Sequence, residues 1–403
     1  MLDRPDDFDA LVIGGGPAGA TTALLLARAG WSVAVIESKS FPRRKVCGEY
    51  LSATNWPLFE KLGLAAAFDH RAGPEIRRVG LLAGRAFVSA ELPLPKPGPA
   101  GRWGRALSRE KLDTLLLEQA AARGAEVLQP WRAVELRDEG AGFACLAEGQ
   151  ASGEARRLRS SIVVAAHGSW TSGPLPTQDV RPSKRAGDLF GFKASFRGAA
   201  LADDLMPLVS FAGGYGGLVR CDDGRTSLSC CIRRDRLAPL DRSSGDTAGE
   251  AVLAYLLAEC PALRAVLGQA VCDLPWLSAG PIRPGIRPAY RRGVFQAGNA
   301  AGEAHPVVAE GITMAMQSAW LLAERLIAAK GAIDSPGARD RVGRDYAQAW
   351  RRAFAPRIHA AASIAQWAMR PAAVQASLPV IRRCPRVLTW GARCSGKISS
   401  PMR

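Results

Sequence analysis

The chain has 403 residues, 48% of them hydrophobic, with 53 Lys and Arg against 37 Asp and Glu and a formal net charge of +16 at pH 7. That length supports two or three domains with a real core, and a mean hydropathy of -0.01 without any run of 18 uncharged apolar residues argues against a transmembrane helix. Nine cysteines without a C-x-x-C pair and four scattered histidines argue against a disulfide framework or a structural metal site, so no metal is expected.

Asp3, Asp6, Asp7 and Asp9 precede the first apolar run. That pattern does not suit a signal peptide, and a cytoplasmic location is expected. The run Phe8 to Ile13 reads as a strand and ends in Gly14-Gly15-Gly16-Pro17-Ala18-Gly19. Ala20 to Ala27 then reads as a helix, and Trp31 to Ile36 as a second strand closed by Glu37. Strand, G-x-G-x-x-G, helix, strand and acid within about 30 residues is the spacing of a dinucleotide-binding βαβ unit. Gly14 permits the tight turn, Gly16 the close approach of a pyrophosphate, and Gly19 the packing of helix on strand. The helix amino terminus offers unpaired N–H groups to phosphate, and Glu37 can accept hydrogen bonds from a ribose diol. The motif by itself does not choose between NAD and FAD, and its plainer reading is a glycine-rich turn in an ordinary βαβ unit.

Proline and glycine punctuate Pro93 to Gly104 as a loop. A helix is predicted from Ser108, the candidate N-cap, to Ala120. Short strands follow at Glu126–Leu128, Ala133–Leu136, Phe143–Ala147 and Ser161–Ala166. From 175 to 285 the pattern is sheet-rich: Leu189–Phe196, Leu208–Phe211 and Thr226–Ile232 read as strands, and Gly249–Cys260 as a helix. Gly293 to Ala297 reads as a strand returning to the first domain, followed by a long helix over Ile312–Ala329. The expected fold class is α/β: a Rossmann-type nucleotide domain over 1–174 and 286–335, an inserted β-rich substrate domain over 175–285, and a basic helical C-terminal tail over 336–403.

After Asp345 the chain has no Asp or Glu, while Arg351, Arg352, Arg357, Arg370, Arg382, Arg383, Arg386, Arg393, Lys397 and Arg403 accumulate among Trp350, Phe354, Trp367 and Trp390. No nucleic-acid motif accompanies these residues, so nucleic acid is not an expected partner. A basic, aromatic-bearing amphipathic segment suits peripheral contact with an anionic membrane. The competing reading is a solvated helical appendage that closes the fold.

Four separated stretches choose the cofactor. They are the G-x-G-x-x-G unit with Glu37; Lys45-Val46-Cys47-Gly48-Glu49-Tyr50-Leu51-Ser52; Arg109-Glu110-Lys111-Leu112-Asp113; and Gly298-Asn299-Ala300-Ala301-Gly302 with Pro306 and Glu310-Gly311-Ile312. Together they resemble the geranylgeranyl-reductase-like branch of the FAD-dependent oxidoreductases, relatives of the aromatic hydroxylases and flavin halogenases. The resemblance implies that FAD is bound, with Gly14 in the cofactor-binding turn, Gly16, Pro17, Ala18 and Gly19 at the pyrophosphate and Glu37 at the adenosine ribose. It places Cys47 and Gly48 near the isoalloxazine, Arg109 at the phosphate or ribityl region, and Val134 at the adenine through its backbone. Asn299 would meet the ribityl hydroxyls, and Gly311 with Ile312 the pyrimidine end of the ring. A helix starting near Gly311 would aim its positive end at the charge of a reduced flavin.

Departures from the family pattern are informative. Asn299 stands in place of the usual Asp, and His167 in place of the Asp of the hydroxylases' A-D-G motif. Gly213 to Arg220 matches the reductases' G-Y-x-W-x-F-P only in Gly and Tyr, and the halogenases' W-x-W-x-I-P is absent. The resemblance therefore implies an FAD-dependent oxidoreductase, with a monooxygenase that hydroxylates or epoxidises an apolar small molecule as the leading expectation. Double-bond reduction of a prenyl-type lipid and an electron-transfer role remain as alternatives. NADH or NADPH is the expected electron donor. No residue is assigned as catalytic acid or base.

Overall fold

The computed structural model describes residues 6–92, 102–169, 173, 175–178, 183–240, 247–333 and 335–397. Most of the expected Pro93–Gly104 loop, and Arg403, lie outside the described residues. Strand Asp6–Ile13 is central to the first sheet, because Ala10 to Ile13 are buried on both faces, the pattern of a parallel strand covered on both sides. It pairs in parallel with Val33–Ile36 on one side and Ala155–Ala165 on the other. Glu126–Leu128 adds outside the former and Val294–Gln296 outside the latter, both parallel. The return strand therefore lies next to a strand about 130 positions earlier in the chain, a long-range pairing of the α/β type.

The helix Pro17–Arg28 begins immediately after the first strand, with Pro17 in its first turn and Gly16 as N-cap. Gly14 has φ +109, and a Cβ on Gly19 would lie 1.8 Å from the Gly14 carbonyl oxygen. Only glycine at both positions lets the helix start so close to the strand. The predicted helix after Ser108 is Arg109–Ala122. Ser108 takes the N-cap position without capping: its Oγ donates to Asp222 Oδ2 at 3.0 Å.

The second sheet has seven strands in the order Val271–Ile282, Leu189–Arg197, Thr226–Arg233, Gly214–Arg220, Leu205–Phe211, Arg78–Ala83 and Ala86–Glu91. Its last two strands come from within 1–174, since Arg78–Ala83 pairs in parallel with Leu205–Phe211. The β-rich unit is therefore wider than the 175–285 insertion read from sequence. The cause is a distant pairing that buries Leu81 and Leu82 on opposite faces. Period-2 alternation sorts the remaining strands. Leu82, Val209, Phe211, Leu218, Leu228 and Ile232 pack beneath the helices Ala248–Glu259 and Ala262–Leu267. The opposite face carries Leu208, Tyr215, Gly217, Ser229 and Cys231.

The C-terminal region divides into two parts. Helix Pro336–Ala368 is core: Tyr346, Trp350, Phe354 and Ile358 are buried against the nucleotide unit, and Tyr346 donates to the Gln296 carbonyl of the return strand at 2.8 Å. Helices Pro371–Arg383 and Arg386–Cys394 instead lie on the edge of the second sheet, through Val374, Leu378 and Ile381 against Leu81 and Val88. Trp350 is 2% exposed and Trp390 is 67% exposed. Trp350→Ala is expected to cost about 3–5 kcal/mol of stability and Trp390→Ala within about 0.5 kcal/mol, both measured by denaturant unfolding; equal costs would contradict this division.

Candidate cofactor and substrate site

The carboxyl ends of the parallel strands and the inward face of the second sheet enclose one cavity of about 920 Å³. Ligands of open α/β sheets bind beyond these strand ends. The sequence-identified residues Gly14, Gly16, Pro17, Ala18, Glu37, Cys47, Gly48, Arg109, Asn299, Gly311 and Ile312 all line it. Gly19 does not, and serves instead the close packing of helix on strand. Val134 is also set back from the wall; Trp131, Arg132 and Ala133 of the same strand provide it.

Glu37 is buried, with Oε2 accepting from Gly15 N at 2.8 Å and Oε1 from Lys39 N at 2.9 Å. These two bonds fix the carboxylate at the strand end and leave lone pairs for a diol. Arg109 is buried and forms a bidentate pair with Asp113, Nε to Oδ1 at 2.7 Å. Burial opposes its charge, but Asp113 overrides that and holds its pKa above the ordinary guanidinium value, with Cys47 contributing. Arg43 and Lys45, residues of the kind that usually form a solvated turn, join Arg109 on the wall beside Gly14 and Gly16. Arg44 turns away to the Pro275 carbonyl at 2.8 Å.

FAD fits these residues. Three cations flank the glycine turn where a diphosphate would lie. A Cβ on Gly48 or Gly311 would meet nothing within 4 Å, so each leaves a bare backbone facing the cavity, as a flat ring in close contact requires. The helix Gly311–Ala328 has no side-chain cap, so its first N–H groups remain available. Glu310, just before it, is tied by its Oε1 to Lys397 Nζ at 2.8 Å. Asn299 Nδ2 donates to Glu303 Oε1 at 3.0 Å, and Glu303 also accepts from Ser169 Oγ at 2.7 Å. His167 is anchored by Gly168 O and Thr177 Oγ1, each at 2.9 Å.

Sequence reasoning gave no site role to Glu49 or Lys193, and counted Lys397 only as a tail charge although it is buried against Glu310. Glu49 lines the cavity with φ +61, a strained conformation for a non-glycine residue. Its buried carboxylate pairs with the buried Lys193 ammonium and accepts from Arg109 N at 3.3 Å. The only signal was its place in the Cys47-Gly48 loop, since its partners are distant in sequence. On the far side Tyr215 OH meets His305 Nδ1 at 3.2 Å. Burial pushes His305 down to about 4, so the imidazole is neutral near pH 7.

Lys45 is lowered to about 8, first by burial and next by Arg109. A bound diphosphate favours its ammonium and raises that value, so binding takes up a proton above pH 8. FAD affinity is expected to be flat below pH 8 and to fall by up to about tenfold per pH unit above it. Lys45→Met should weaken binding and flatten the profile, as read by fluorescence titration; an unchanged slope in that variant would contradict this role.

Residues 7–183 match the family described as FAD binding domain. Among curated proteins, the menaquinone reductase of Mycolicibacterium smegmatis is 34% identical over 135 residues, 33% of this chain and 32% of that protein. The matched region spans about a third of the length of that relative. The structure of the myxobacterial chondrochloren halogenase CndH superposes with a TM-score of 0.78 at 20% identity, covering 96% of this chain and 91% of that one. A geranylgeranyl bacteriochlorophyll reductase-like protein of Thermoplasma acidophilum gives 0.66 at 19%, covering 85% and 83%. Both structures share the fold over most of this chain, and the family match covers the glycine turn, Glu37 and Arg109. With these residues gathered around one cavity, residues 7–183 match the FAD binding domain family, and the two solved structures add a likeness of fold.

Proposed function

We propose that this protein is an FAD-dependent monooxygenase that hydroxylates or epoxidises an elongated apolar substrate. The continuity of the cavity carries this reading. Beyond the flavin cradle it extends along Met206, Leu208, Gly217 and Val219 to Ile364, Trp367 and Leu388. Gly217, Ser229 and Cys231 are small residues on the sheet face, and their size leaves room for a ligand. Ser229 Oγ donates to the Cys47 carbonyl at 2.8 Å, joining this floor to the loop at the ring. The apolar walls would align the substrate and exclude water from the reacting end. FAD, reduced by NADH or NADPH, would supply the electrons, and O2 the inserted oxygen.

One observation favours a second reading, reduction of an isolated double bond. That reaction needs a proton at carbon as well as two electrons from reduced FAD. The Tyr215–His305 pair supplies a hydroxyl at the cavity wall, next to Cys231.

Turnover of long-chain phenols and polyprenyl quinones, assayed with NADH or NADPH with and without O2, separates the two. Oxygen-dependent turnover with ¹⁸O in the product is expected; full turnover without O2 would favour the reductase. Gly217 has only the Pro207 oxygen, at 3.5 Å, near its potential Cβ, so larger side chains enter the cavity without backbone strain. Gly217→Phe is expected to retain FAD and lose at least tenfold in kcat/KM for long-chain substrates; an unaffected variant would place the substrate elsewhere.

A further inference from the structure

We infer that the helices Pro371–Arg383 and Arg386–Cys394 form a docking face for an anionic lipid bilayer, set around the mouth of the substrate cavity. This inference rests on the reading of the cavity as a site for apolar substrate, and it names where that substrate comes from. Val380, Val387 and Trp390 are 62%, 41% and 67% exposed. All three also line the cavity, with Ile381 and Leu388 just inside them. The apolar path from the flavin cradle therefore emerges among exposed apolar side chains.

Charge selects the partner. Arg382, Arg383, Arg386 and Arg393 are exposed on the same two helices. None has a carboxylate partner among the described residues, although arginines elsewhere on the surface commonly do, such as Arg78 with Asp204 and Arg156 with Asp6 and Glu126. No Asp or Glu follows Asp345 to neutralise them. Exposed apolar side chains on the same helices as guanidinium groups that have no carboxylate partner among the described residues match the acyl boundary and phosphate layer of an anionic leaflet. No helix among the described residues is long and apolar enough to cross a membrane, so the contact is with the surface. The fold supports this geometry: Val374, Leu378 and Ile381 fix the inward side of the first helix on the sheet, and Thr389 Oγ1 holds the second to the Glu91 carbonyl at 2.8 Å. The outward side is thus presented by a rigid base.

The test is co-sedimentation of the full-length, FAD-loaded protein with vesicles. Wild type is expected to bind vesicles containing phosphatidylglycerol at least tenfold better than pure phosphatidylcholine vesicles, with binding reduced at high salt. Arg382→Gln/Arg383→Gln/Arg386→Gln/Arg393→Gln is expected to lose at least tenfold in that affinity, and Trp390→Ala to weaken binding even at low salt, with the flavin spectrum of each unchanged. Equal binding to both vesicle types, or no effect of these substitutions, would overturn the inference. So would concentration-dependent dimerisation without lipid that the same substitutions abolish, or equally salt-sensitive binding to duplex DNA unaffected by Trp390→Ala. Failed vesicle binding with Gly217→Phe still blocking turnover would sink the docking face and spare the substrate reading. Intact vesicle binding with no turnover of any apolar substrate would do the reverse.

Discussion

The close approach of the first helix to the strand before it is the constraint on which the rest depends. A Cβ at Gly19 would lie 1.8 Å from the Gly14 carbonyl oxygen, so the turn exists only as glycine. This contact puts free helix N–H groups at the end of a buried parallel strand, where an anion is stabilised by the backbone. Arg109, Arg43 and Lys45 then converge on the same point from other segments. The return loop also meets this turn: Gly298, at φ +63, lies so near Ala18 that a Cβ would be 2.8 Å from that side chain. Two parts of the chain nearly 300 residues apart thereby form one cradle.

Electrostatics divide the cavity. One end holds fixed cations, each restrained by carboxylates or by burial, and suits a diphosphate. The other is walled by glycine, cysteine, leucine and tryptophan and suits hydrocarbon. Glu49 lines the cavity and pairs with Lys193, and burial would be costly for either charge alone. Glu49 adopts a strained backbone to make this pair, which links the loop carrying Cys47 to the second sheet. Lys397 has a similar linking role, bringing the end of the described chain under the loop before Gly311 through Glu310 and the Val308 carbonyl.

What the sequence made legible was local. The βαβ unit, the helix after Ser108, the helix from Gly311 and the strands from Glu126 to Ala165 follow from periodicity and glycine placement; they fall within a few residues of expectation, except that the strand expected from Ser161 begins at Ala155. The cavity-lining residues Cys47, Gly48, Arg109, Asn299, Gly311 and Ile312 also stand in short motifs, as expected where a phosphate or a ring would constrain neighbouring positions together. Distant pairing was not legible. Arg78–Ala83 is not among the strands read from sequence, and its partner Leu205–Phe211 lies far along the chain; nothing near Glu49 announces Lys193. The C-terminal segment misled for a related reason. Trp350 and Trp390 occupy similar basic, aromatic surroundings in sequence, yet one is a core residue and the other faces solvent. Only the position of each helix on the two sheets separates them.

The central claim is that the glycine turn, Glu37, Arg109 and the Gly311 helix grip one FAD. The most direct measurement is reconstitution of the purified, folded protein with FAD, followed by its visible absorption after gel filtration. A yellow protein carrying one FAD per chain is expected, with loss of that flavin in Gly16→Glu while the fold is kept. A folded wild-type protein that stays colourless in excess FAD, or a variant that keeps the full complement, would contradict it.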